Sequence, residues 1–88
     1  MRGSVFNLIR LLETRGFICI SKDFKTTDDS YGFGSALLYK DTKCVSILVT
    51  LYGITVIVST QKYKDHIVVN QKQVLTEVDL NRVLFYLN

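Results

Sequence analysis

Proline is absent from this 88-residue chain, histidine occurs once and cysteine twice. Without proline, no prolyl isomerisation step slows folding. One histidine, His66, and two widely separated cysteines, Cys19 and Cys44, cannot complete a zinc tetrahedron within one chain. Asp28 and Asp29 are adjacent, but the alternating oxygens and closing Glu of a calcium loop are missing, so no metal site is expected. No Gly-x-Gly-x-x-Gly follows a strand-like run and opens a helix, which removes the dinucleotide fingerprint. No cofactor is expected on these grounds.

Long apolar runs are also lacking. The oiliest stretch, residues 44–60, is broken by Ser46, Thr50, Gly53, Thr55 and Ser59 and has strand character, so no membrane span is expected. Arg2 leads straight into an amphipathic pattern, with none of the leucine-rich core and small-residue cleavage site of a secretory leader. Cys19 and Cys44 lie in apolar, strand-like surroundings and read as reduced core thiols, with a cross-strand disulfide as the alternative. Together these features predict a reducing, cytoplasmic location. Repeats, low-complexity tracts and linkers are absent.

The chain is 48% hydrophobic with a mean hydropathy of +0.21, which excludes intrinsic disorder. Its length predicts one domain spanning residues 1–88. A domain this small buries only roughly 60–65% of the surface its unfolded chain exposes. Surplus apolar surface in so small a protein marks an interface. Eleven basic residues stand against eight acidic ones, a net charge of +3. The cations are scattered along the chain, so this charge speaks to solubility more than to purpose.

Residues 4–15 read as a helix. Ser4 is the expected N-cap, and Val5, Leu8, Ile9 and Leu12 recur at helical spacing. Gly16 supplies the left-handed stop, and Phe17 is expected to fold back on the helix. Strand-like runs follow at 17–24, 35–40, 44–60 (two strands turning at Leu51-Tyr52-Gly53) and 66–70. In the long pair one face is uniformly oily, with Val45, Ile47, Val49 and Leu51, then Ile54, Val56 and Val58. The other mixes hydroxyls with large aliphatics. Thr76 and Asp79 approximate a capping box, with Asp in place of Glu, and Leu75 and Leu80 fit a hydrophobic staple. Leu80, Val83, Leu84 and Leu87 form the stripe of this last helix, leaving Phe85 and Tyr86 off it. The order α-β-β-β-β-β-α predicts an α+β two-layer sandwich, an antiparallel sheet of four to five strands with N- and C-terminal helices.

No catalytic constellation is legible. His66 beside Asp65 could orient an imidazole for acid–base work, but no nucleophile accompanies the pair. Tyr31-Gly32-Phe33-Gly34 partly imitates an RNA-recognition motif. Tyr31 stands where a basic residue is needed and Ser35 where a stacking aromatic belongs, and the element order differs. The expected activity is therefore non-enzymatic: a small module that binds another protein, in the manner of compact inhibitors or antitoxin-like regulators, including viral ones directed at host proteins. Tyr31, Phe33, Tyr52, Phe85 and Tyr86 are the expected partner-binding anchors, with Phe33 tucked into the core as the plain alternative. Leu48, Ile57 and Val68 are expected to share the mixed sheet face. That face is covered either by a second copy in a homodimer or by one terminal helix, the two helices then lying on opposite sides. The competing reading is a nucleic-acid-binding module. It would use the turn lysines Lys40, Lys43, Lys62 and Lys64, with Tyr39 and Tyr63 to stack on bases.

Overall fold

The computed structural model describes residues 2–25, 33–72 and 75–88. The chain runs α1 (Arg2–Thr14), β1 (Ile18–Phe24), β2 (Gly34–Lys40), β3 (Lys43–Thr50), β4 (Gly53–Ser59), β5 (His66–Asn70) and α2 (Glu77–Leu87). The strands form one open antiparallel sheet in the order β1-β2-β3-β4-β5. This is the expected α+β order with all five strands present.

Chain punctuation sets the element ends. α1 begins at Arg2, ahead of the expected cap, so Ser4 lies inside its first turn. Its C-terminus is a Schellman motif: Gly16 takes φ +95°, its amide donates to the Glu13 carbonyl, and the Phe17 amide donates to the Leu12 carbonyl, both at 3.0 Å. Phe17 and Leu12 are both buried, the hydrophobic contact that accompanies this motif. The Lys40 ammonium reaches across to donate to the Arg15 carbonyl at 2.6 Å, satisfying a further acceptor at the helix end. At the β3–β4 turn Gly53 holds φ +117°, and a side chain there would run into the backbone of Asn70 and Gln71.

Burial is one-sided. Val5, Leu8, Ile9 and Leu12 of α1 and Val83 and Leu87 of α2 join the inward residues of the sheet in one cluster. The inward rows are in register across strands: Ile47 lies between Ala36 and Val56, and Val45 between Leu38 and Val58. Both helices therefore cover the same face, α1 at the β1 side and α2 over β4 and β5. The arrangement with helices on opposite faces does not occur.

Several residues sit differently from their expected places. Leu51, extrapolated along the oily face, falls in the turn and is 76% exposed, because the chain leaves the pleat after Thr50. Val68, expected beside Leu48 and Ile57, pairs with Val56 and is fully buried on the opposite, core face. In β1 the register shifts between Cys19 and Ser21, a bulge that leaves Ile20 unpaired. Cys19 stays half-buried against the core, while Cys44, opposite Tyr39, lies on the other face. Both cysteines are free, and their opposite faces preclude the cross-strand disulfide.

β5 inverts the usual polarity. Its inward residues are His66, Val68 and Asn70, and its outward ones Ile67 and Val69. The reason lies in α2, which presents polar partners to the edge strand. Asp79 is the one buried charged residue among those described. Its Oδ2 accepts from the Asn70 side-chain amide at 2.5 Å, and from the Thr76 amide and hydroxyl at 2.9 Å each. The Asp79 amide in turn donates to Thr76 Oγ1 at 3.2 Å, completing the capping box. Burial pushes the Asp79 carboxyl up. The hydrogen bonds from Thr76 and Asn70 and the charge of Arg82 outweigh burial and hold it below its ordinary value.

Two measurements check this account. Ile47→Ala should cost about 2–5 kcal/mol in denaturant unfolding, whereas Leu51→Ala should cost less than about 0.5 kcal/mol; equal losses would contradict one-sided burial. Asp79→Ala should cost about 1–2 kcal/mol at neutral pH. The folded carboxyl is the stronger acid, so its stabilisation is present above the ordinary carboxylate range and disappears as pH falls through the folded value. The gap between wild type and Asp79→Ala should therefore close below about pH 4, as followed by unfolding midpoints across pH.

Candidate functional site

The antiparallel register places side chains at two opposite ends of the sheet and on its uncovered face. One end holds the β3–β4 turn and the start of β2; the other holds the β2–β3 turn, the β4–β5 connection and the C-terminus of α2.

At the first end Tyr52 is 84% exposed and Leu51 nearly as much, with Phe33 half-exposed beside them. Phe33, Val49, Thr50, Leu51 and Tyr52 line an open depression of about 270 Å³. The turn is locally braced: Thr50 Oγ1 accepts from the Tyr52 amide at 3.1 Å, while Lys25 donates its amide to the Phe33 carbonyl at 2.8 Å. Phe33 is thus anchored by its backbone and presents its ring outward, unlike the alternative that tucks it into the core. Tyr31, the remaining anchor expected near this end, lies outside the described residues.

Phe85 and Tyr86 are not part of that patch; they stand at the opposite end. There they join Tyr63 and His66 in an aromatic cluster. His66 stacks on Tyr86 with centroids 4.5 Å apart, and Tyr63 meets both rings edge-on at 5.0 and 5.2 Å. Tyr86 is half-buried against the core, whereas Phe85 is exposed. The neighbouring Asp65 carboxylate accepts from the Ser59 hydroxyl at 2.9 Å. The imidazole is therefore packed among rings, and the His–Asp geometry required for acid–base work is not formed.

Lys40, Lys43, Lys62 and Lys64 share this second end, as the meander requires. Two of them are already engaged: Lys40 on the Arg15 carbonyl, and Lys62 with its ammonium 5.1 Å from the Tyr63 ring centroid. Tyr39 points out of the open face and interacts with Cys44, whose hydrogen bond, charge and the slight burial of the site raise the phenol's pKa.

The open face itself carries Ile18, Ile20, Leu48, Ile67 and Val69 as exposed aliphatics. Ile57 is half-buried between Ser46 and Ile67 on the same face. Leu48 and Ile57 are where the sequence pattern put them. Ile67 and Val69, not Val68, complete the row. Sequence alternation in β5 could not separate these two choices, because His66–Asn70 contains three consecutive aliphatics.

Among the described residues no group of three or more His, Cys, Asp or Glu side chains is placed to hold a metal ion. None of the described helices is long and apolar enough to cross a membrane. No protein-family model matches the chain, and neither a curated protein nor a solved structure matches it.

If the His66 ring is a packing element, His66→Ala should lower stability by about 1 kcal/mol through loss of its stack on Tyr86. Unfolding midpoints at neutral pH measure this, and an unchanged midpoint would remove the stack from the list of stabilising contacts.

Proposed function

We propose that this chain is a small protein-interaction module that acts by occupying a surface on another protein and performs no chemistry on a substrate. One observation carries the reading: Phe33, Leu51 and Tyr52 gather around a single apolar depression at one end of the sheet, on backbone that is hydrogen-bonded in place. Exposed aromatics cost water-ordering without stabilising a monomer, and they supply large contact area with few rotatable bonds. A rigid hairpin turn flanked by such rings is suited to insertion into a pocket on a partner. An inhibitor or regulator of a single target, working in a reducing cytoplasmic compartment where Cys19 and Cys44 remain thiols, fits this arrangement. The nucleic-acid alternative is less well supported, because Lys40 and Lys62 are engaged internally and their end of the sheet is filled by self-packed rings.

The test is a paired capture from the native cell using the wild-type chain and the Phe33→Ala/Tyr52→Ala double variant. A specific co-eluting protein should lose affinity for the variant by at least about 30-fold, each ring contributing about 1–2 kcal/mol. The melting temperature should stay within about 2 °C, since both rings are largely outside the core. A double variant that binds as tightly as wild type, or one that unfolds, removes these residues from the interface.

A further inference from the structure

We infer that the open face of the sheet is a self-association surface, covered in solution by the same face of a second copy of this chain. Three observations lead there. The first is polarity. An antiparallel sheet with one face in water normally alternates apolar residues inward with polar ones outward. Here β5 does the reverse, sending His66 and Asn70 to α2 and leaving Ile67 and Val69 outside, 51% and 54% exposed. At the other edge the β1 bulge leaves Ile18 and Ile20 outside as well, so both margins of the face are aliphatic.

The second is charge. In a chain that is 22% charged, every outward position from β2 to β5 holds an aliphatic, an aromatic, a hydroxyl, a thiol or glycine. The charged residue on this side is Asp23, at the far end of β1. A two-fold interface sets a patch against its own copy, so any concentration of one sign would meet the same sign. A face whose one charge among the described residues is an edge carboxylate meets that condition, because a two-fold along β3 sets the two Asp23 side chains at opposite margins, even though the chain as a whole carries +3.

The third is area. Strands rising about 3.3 Å per residue and lying about 4.8 Å apart make a five-strand face of roughly 23 by 24 Å. That is roughly 550 Å² in projection for each copy, and about 1,100 Å² for two, before side-chain relief is added. A specific interface needs about 1,000 Å² or more. Sheets pack face to face about 10 Å apart with strands nearly aligned. A two-fold axis running along β3 keeps each residue's level along the strands, so the Ile20–Ser21 bulge of one copy lies over Ile67 of the other, Asp23 lies over Val69 at the margin, and the central Leu48 meets its own mate.

The cysteines give a built-in reporter, because Cys44 lies on the open face and Cys19 on the core side. Sedimentation equilibrium from low micromolar to sub-millimolar concentration should show the mass rising from 10.1 kDa for one chain to twice that value. Over the same range alkylation of Cys44 by iodoacetamide should slow while Cys19 reacts at a constant rate. Leu48→Lys places like charges together at the centre of the interface and should weaken association at least about 100-fold. Ile67→Lys, on another strand, should weaken it too, and both variants should keep the wild-type circular dichroism. A wild-type chain that stays monomeric with Cys44 equally reactive at all concentrations overturns the inference, and leaves the face to a different protein or to a lipid surface. A dimer that survives both substitutions overturns it as well, by placing the contact elsewhere. The Phe33–Tyr52 turn lies outside this face, so failure here and failure of the proposed partner-binding end are separately visible.

Discussion

The structure depends on one-sided dehydration of a five-stranded sheet. Ile47, Val45 and their neighbours on β2 and β4 are fully buried, and among the described residues the elements that cover them are two short amphipathic helices. Neither helix is long enough to be stable alone in water. Each is held by the stripe it presents to the sheet, and the sheet's inward row is kept dry only while both helices are docked. Cross-strand registers, the Gly16 stop and the α2 cap all serve this arrangement, since a one-residue slip in any central strand would exchange its oily row for its hydroxyl-bearing one.

Much of this was legible because local chemistry and tertiary demand agree. Gly16 followed by Phe17 specifies a Schellman stop whose aromatic turns back to Leu12. Thr76 and Asp79 specify a cap, and Asp serves in place of Glu because its shorter carboxylate is also reached by Asn70. The β3–β4 pair was readable from its clean alternation and from Gly53 at the turn. What alternation could not decide was parity in β5, where three aliphatics run together, and the position of the β1 bulge, where Phe17 to Ile20 are apolar without interruption. Both depend on contacts with helices distant in sequence. Both helices dock on the uniformly oily face, as the expected two-layer sandwich requires, although helix stripes alone also allow the arrangement with helices on opposite faces.

For the candidate surfaces the outcome divides along the same line. Exposure of Tyr52 and Phe85 followed from their places in a turn and off a helical stripe. The split of the aromatics between opposite ends of the sheet could not be read without strand order, nor could the packing of His66 against Tyr86 in place of Asp65. The resulting molecule has an aromatic lip at one end, a lysine-ringed cluster at the other and, between them, a broad side whose charge among the described residues is confined to Asp23 at the β1 edge. The edges are treated differently too: β1 is blunted by its bulge and by Lys22 and Asp23, a familiar guard against unwanted strand pairing.

The shared oxygen of Asp79 has a consequence for how the chain comes apart. Because Thr76 and Asn70 donate to the same atom, the final strand and the final helix are latched by one group. Loss of that oxygen takes the partner from Asn70 and the cap from α2 at the same moment, while the His66–Tyr86 stack and the buried Val68, Val83 and Leu87 still join strand to helix. The end of β5 and the start of α2 therefore share one fate, since any fluctuation that frees this oxygen loosens both together.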